Sequence, residues 1–216
     1  MSLKIKSVPQ LVDLVRNETV DFKKSITITS TLSTTDACSL ATTAQMTAGT
    51  GITSGEEVLY KSSVITKGNI IYTDILIDMT GLTSTDQLGD IIGMDAAANC
   101  HIGQITAAIN GTILGGTMTC LKTPAGGEVD IDLYSATVAT GTENAAIGDL
   151  TETVVLNTGA DWKIAPASTS AAGTIKSFGD VPDNGYLYFT VGTSSSPTAG
   201  NYSAGRFLIQ MWGYAA

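Results

Sequence analysis

An all-β fold, an antiparallel β-sandwich of jelly-roll-like kind with a short N-terminal arm or helix, is what this 216-residue sequence predicts. Three observations predict it. Charged residues make up 14% of the chain, against about 25% in ordinary domains, while Thr is abundant and Ile, Val and Leu recur in short runs, a composition that favours strands over helices. About ten to twelve such runs follow one another at short spacing between Gly, Pro, Asn and Asp turns, the signature of a sandwich or jelly roll. Finally, Tyr186, Tyr188, Phe189, Tyr202, Phe207, Trp212 and Tyr214 fall in the last thirty residues of a chain with only 2 Trp, 7 Tyr and 4 Phe. Large aromatics bury the most apolar area, so the densest core is expected where the chain ends.

Residues 8–16 are the best helical candidate: Pro9 suits a first helical position, and Val8, Leu11, Val12 and Val15 fall at helical spacing. So short a helix is marginal alone, and we read residues 1–24 as an arm that docks on a partner. Residues 25–216 form the β-sandwich domain, within which 25–60 can be read as a separate small β segment. From Ser25 the period becomes two, with Ile26, Ile28 and Ser30 alternating with Thr27, Thr29 and Thr31. Residues 37–46 and 57–66 read as further strands.

After a turn at Lys67-Gly68-Asn69, residues 70–79 form the strongest strand of the middle region. Ile71, Thr73, Ile75 and Ile77 take one face. Ile70, Tyr72, Asp74, Leu76 and Asp78 take the other, which is not purely polar, as at a sandwich or an interface. Residues 88–94 are read as strand or turn, and 95–99 as a helical turn at best. Residues 101–109 and 112–121 flank Asn110-Gly111, the preferred dipeptide of a two-residue type I′ hairpin. Gly115-Gly116 inside the second of these strands signals a bulge or a close backbone approach. Residues 128–138 alternate, with Val129, Ile131 and Leu133 inward and Glu128, Asp130 and Asp132 outward. Residues 151–157 are a strand, and Trp162 and Ile164 begin another. Residues 165–172 are a low-complexity Ala/Ser/Thr loop. The dense turn chemistry of residues 180–185 leads into a final hairpin of residues 186–191 and 206–213.

The net charge is −9, with no Lys/Arg run, which excludes nucleic acid and an anionic membrane surface as expected partners. Acidity by itself accounts for solubility. Cys38, Cys100 and Cys120 are odd in number and lack C-x-x-C spacing, so free buried thiols are expected rather than a disulfide framework or a zinc site. That fits assembly in a reducing cytoplasm. The N-terminus lacks a signal-peptide pattern, its apolar stretch being broken by Pro9, Gln10, Asp13 and Arg16. No stretch has the length of a membrane span.

Candidate chemistry is sparse. His101 is the only histidine, next to Cys100, but neighbours on a strand point to opposite faces, and a hydrogen-bonded strand histidine is the expectation. Glu128, Asp130 and Asp132 on one strand face offer oxygen ligands for Ca²⁺ or are simply a solvated face. Asp74 and Asp78 are read the same way. Two acids on one strand are not the pair that flanks a glycosidic bond. No Gly-x-Ser-x-Gly elbow and no phosphate-binding glycine loop is present. Tyr186, Tyr188, Tyr202 and Trp212 either pack in the core, which is the default, or form a sugar-stacking platform. No catalytic, cofactor-binding or metal-binding residue is assigned, no cofactor is expected, and the chain is read as a non-enzyme.

Four segments carry a family resemblance: Gly89-Asp-Ile-Ile-Gly93, Asn99-Cys-His-Ile-Gly-Gln-Ile-Thr106, Asp130-Ile-Asp-Leu-Tyr-Ser-Ala-Thr137, and Tyr202-Ser-Ala-Gly-Arg-Phe-Leu-Ile209 through Gly213. Over residues 60–214 the chain resembles poorly characterised structural proteins of tailed phages that infect marine bacteria. The resemblance implies a virion component, foremost a capsid decoration (cement) protein on the outer surface of the capsid lattice, assembled in the host cytoplasm. Its partners would be the major capsid protein and itself, as a trimer or dimer. The alternative is a tail fibre or receptor-binding tip that contacts host-surface glycans.

Overall fold

The last long strand of the chain lies at the centre of its largest sheet. The computed structural model describes residues 45–54, 58–157, 161–162, 175–182, 184–192 and 196–215, all within the compact unit Ala41–Ala216. The arm over 1–24, the strand beginning at Ser25, and Cys38 lie outside the described residues. The elements in chain order are α1 (Thr50–Thr53), β1 (Tyr60–Lys67), β2 (Ile70–Asp78), β3 (Thr83–Ser84), β4 (Gly103–Gln104), α2 (Ala107–Asn110) and β5 (Thr112–Ala125). Then come β6 (Ile131–Ala136), a 3₁₀ turn (Ile147–Leu150), β7 (Glu152–Leu156), β8 (Ile175–Ser177), β9 (Tyr186–Val191), β10 (Gly200–Asn201) and β11 (Ala204–Tyr214). The all-β, antiparallel sandwich is as the composition and periodicity predict.

A five-stranded sheet runs β1-β2-β11-β5-β8 and a four-stranded sheet β4-β9-β6-β7, with β3 and β10 forming a small pair. The β1–β2 hairpin pairs Lys67 with Ile70 across the predicted turn, where Gly68 takes φ 62°. In β2 the predicted inner face holds: Ile71, Thr73, Ile75 and Ile77 are all buried. Across the sheet Ile75 pairs with Ile209 and Ile209 with Met118, while Ile77 pairs with Phe207 and Phe207 with Cys120. All six are buried, so the register lays continuous apolar rows against the second sheet. The sheets meet where Phe207 packs 5.7 Å from Phe189 of β9 and 5.2 Å from the edge-on ring of Trp162.

The aromatic C-terminus is therefore central to the core, but not as a hairpin. β9 belongs to the four-stranded sheet and β11 to the five-stranded one, so the two strands face each other across the interior. The predicted Asn110-Gly111 hairpin is also corrected. Residues 107–110 form α2, capped by the Thr106 side chain, and Gly111 ends it at φ 69°, so this segment carries the chain from one sheet to the other. Tertiary contact overrides the dipeptide preference: the buried Asn110 side chain donates to Thr73 Oγ1 (2.9 Å) and accepts from the Thr106 N–H (2.9 Å).

The four-stranded sheet is covered on both sides. Leu187, Phe189 and Val191 face the sandwich interior, while Tyr188 packs beneath Gly141 and Ile91 and beside His101. Residues 89–92 continue the edge pairing that β4 begins, through the Ile92 N–H to the Phe189 carbonyl and the Val191 N–H to the Asp90 carbonyl. The five-stranded sheet keeps an open outer face.

Candidate functional site

Strand parity puts Tyr72, Asp74, Leu76 and Asp78 of β2 on that outer face, with Arg206, Leu208, Gln210, Trp212 and Tyr214 of β11 beside them. Trp212 sits directly opposite Tyr72 and opposite Gly115 of β5. A Cβ at Gly115 would lie 2.9 Å from Trp212 Cζ2 and 3.3 Å from Nε1. The indole therefore lies down on the glycine and leaves its other side outward. The ladder slips one residue here, Gly213 pairing with Ile113, so Leu114 is the extra residue of a β-bulge. That is the irregularity predicted at Gly115-Gly116. Trp212 is 37%, Tyr72 42% and Tyr214 45% exposed, an aromatic cluster rather than scattered apolar residues.

Polar groups border the rings. Lys67 Nζ stands 5.2 Å from the centre of the Tyr72 ring, within cation–π range. One row along, the Gln210 amide donates to Asp74 Oδ1 at 3.0 Å. Further on, Arg206 donates through Nε (3.1 Å) and Nη2 (2.6 Å) to Asp78 Oδ2, while Thr80 donates to Oδ1 through its N–H (3.1 Å) and hydroxyl (2.7 Å). Burial, the largest influence, pushes the Asp78 carboxyl upward, but the Thr80 hydroxyl, the Arg206 guanidinium and the Thr80 N–H together hold it below its ordinary value. The five strands carry Lys61, Lys67, Lys122, Lys176 and Arg206 against only Asp74 and Asp78. Lys176 is the inward one, its Nζ 5.0 Å from the Trp162 ring centre.

The predicted aromatic platform does not assemble. Tyr188 is fully buried, donating to the Val138 carbonyl (2.8 Å) and accepting from the Gly141 N–H (3.2 Å). Desolvation pushes its phenol up to about 12. Tyr202 is buried and donates to the Glu128 carbonyl (2.8 Å). Tyr186 is half-buried against His101, at 5.0 Å between rings. Of the four, Trp212 alone is exposed; of its partners there, Tyr72 lies on the β2 face predicted not to be purely polar, and Tyr214 belongs to the predicted C-terminal aromatic set.

The acidic triplet is likewise corrected: Glu128, Asp130 and Asp132 are buried, not a solvated outer face. β6 begins only at Ile131, and both of its faces are covered. Glu128 Oε1 accepts from the N–H groups of Val129 (3.0 Å) and Asp130 (2.8 Å), and its other oxygen accepts from Thr198 N–H, tying two loops together. The Asp130 carboxylate lies against Gly192. Burial lowers the Lys176 value, partly offset by attraction from Asp130 and Asp132. Among the described residues no group of three or more His, Cys, Asp or Glu side chains is arranged to hold a metal ion.

His101 precedes β4 rather than lying in a strand, and its buried Nδ1 has no hydrogen-bond partner, contrary to expectation. Burial holds its imidazole below the ordinary value. It borders a cleft of about 480 Å³ lined also by Met46, Asn99, Gln104, Ile109 and Tyr186, with no carboxylate or amine among the described lining residues. Cys100 and Cys120 are free and buried, as predicted for those two. The Cys100 thiol donates to the Ala97 carbonyl (3.3 Å), and desolvation pushes it up to about 11, which makes it a poor nucleophile.

No family model, no curated protein and no solved structure matches this chain.

Proposed function

We propose that this protein is a non-enzymatic structural component of a tailed-phage virion, a capsid decoration (cement) protein that binds the outer surface of the capsid lattice and stabilises it. The family resemblance over residues 60–214 motivates the reading. The observation that carries it is the use to which buried polar groups are put: Glu128, Asn110, Tyr188 and Tyr202 tie loops to sheets. The cleft at the sole histidine has no carboxylate or amine among its described lining residues. In this reading residues 1–24 are the arm that docks on neighbouring capsid subunits, the β-domain assembles as a trimer or dimer, and its jelly-roll-like connectivity is shared with such surface proteins. Binding only the assembled lattice stabilises it by mass action.

Gold-labelled antibody imaging of intact particles tests this. Label over the whole head is expected, and label on no particle would overturn the virion reading. The open aromatic face of the five-stranded sheet favours a second reading, a tail fibre or receptor-binding tip, for which label would be confined to the tail.

A further inference from the structure

We infer that the outer face of the five-stranded sheet binds an acidic polysaccharide, with sugar rings stacking on Trp212, Tyr72 and Tyr214 and the polymer's anionic groups meeting Lys67, Lys61 and Lys122. The flat seating of the indole on Gly115 presents a broad ring surface outward, which suits the C–H face of a pyranose better than the convex side chains of a protein partner. The neighbouring row is built of hydroxyl, amide and carboxylate groups, Thr117 beside the hydrogen-bonded Gln210 and Asp74, which can donate to and accept from sugar hydroxyls.

Charge selects the class of glycan. The chain carries −9, yet four of its described cationic side chains stand on this one face, and only Asp74 and Asp78 oppose them on the five strands. Asp78 is already neutralised by Arg206. Lys67 pairs with Ile70 beside Tyr214 at one end, and Lys122 pairs with Arg206 at the other. From Tyr214 to Arg206 the strand runs roughly 27 Å at about 3.4 Å per residue, so a polymer, and not a single sugar, spans both ends. A nucleic acid strand also stacks on aromatics, but it presents few free hydroxyls to the Thr117, Gln210 and Asp74 row, whose groups suit the ring hydroxyls of a polysaccharide. The inference rests on this face alone and stands or falls independently of a place on a virion.

Affinity electrophoresis and calorimetry of the purified full chain with alginate, a polyuronate, test it against dextran and oligo-dT of similar length. The expected result is binding to alginate at least tenfold tighter than to dextran or oligo-dT, weakening as salt is raised. Trp212→Ala should reduce alginate binding at least tenfold, and Lys67→Gln should lower both affinity and its salt dependence. Emission from the buried Trp162, the other of the 2 tryptophans, reports that Trp212→Ala is still folded. No binding to alginate, equal binding to dextran, tighter binding to oligo-dT, or a folded Trp212→Ala protein that binds alginate like the native chain would each overturn the inference.

Discussion

The indole of Trp212 rests on Gly115, in a gap that the absence of one β-carbon creates on the neighbouring strand. Gly115→Ala should therefore lift the ring while leaving the sheet paired, because the nearest atoms belong to the outer end of a surface side chain. The Gly115 backbone lies outside the left-handed region, so the substitution adds no backbone strain. We expect a stability change within about 0.5 kcal/mol, as for surface substitutions, together with stronger acrylamide quenching of Trp212 in a Trp162→Phe background. Unchanged quenching would mean that the indole is not seated on the glycine.

Asn110 separates two readings of the same dipeptide. In a type I′ hairpin, Asn110→Gly would be nearly neutral, since both residues accept positive φ. Here the side chain is buried and bonded to the Thr106 N–H and the Thr73 hydroxyl, so its removal leaves both groups unsatisfied. Loss of roughly 1–3 kcal/mol is expected, read from urea denaturation of Asn110→Gly and Asn110→Ala. A neutral Asn110→Gly would reinstate the hairpin.

The period-two signal was legible wherever a strand has one covered and one open face. The inner set Ile71, Thr73, Ile75 and Ile77 follows from alternation alone, and so does the identity of the opposite face of β2. It failed where tertiary layers add cover. Glu128, Asp130 and Asp132 alternate like a solvated edge, yet lie buried beneath segments distant in sequence. Local pattern does not encode which loops fold back. For the same reason residues 186–191 and 206–213 read as one hairpin: adjacency along the chain is the default for pairing, but here each strand pairs with partners in a different sheet. The site was half visible. Trp212 is among the residues the sequence offers for stacking and Tyr214 follows it on the same strand face, while Tyr72 becomes its neighbour only through the β2–β11 register, a contact between residues more than a hundred positions apart.

Asp78 should make stability pH-dependent at the acidic end. Its carboxyl is held below the ordinary value by Thr80 and Arg206 against the opposing effect of burial. The stabilisation is thus complete above the ordinary carboxylate value and is lost as pH falls through the lowered one. Because the Arg206 side chain is 43% exposed, the ion pair itself is worth about 1 kcal/mol or less. Asp78→Asn should lower stability by about that much at pH 7, and the two proteins should converge in acid. A deficit that persists unchanged at pH 2 would show that the charge is not responsible.

Glu143 supplies the opposite sign. Burial raises its carboxyl above the ordinary value, the Ala96 N–H, which donates to Oε2 at 3.1 Å, lowers it in part, and Asp95 and Asp90 add repulsion. A raised folded-state value means that the native state holds this proton more tightly than the unfolded chain. Its contribution is full below the ordinary Glu value and is lost as pH rises through the raised one. Glu143→Gln keeps an acceptor for Ala96 and removes the buried charge. The variant should melt at a higher temperature than the native protein at pH 7 and lose that advantage below pH 4, as followed by circular dichroism across the range. A variant less stable than the native chain at pH 7 would mean that the carboxylate makes a compensating contact that the amide cannot reproduce.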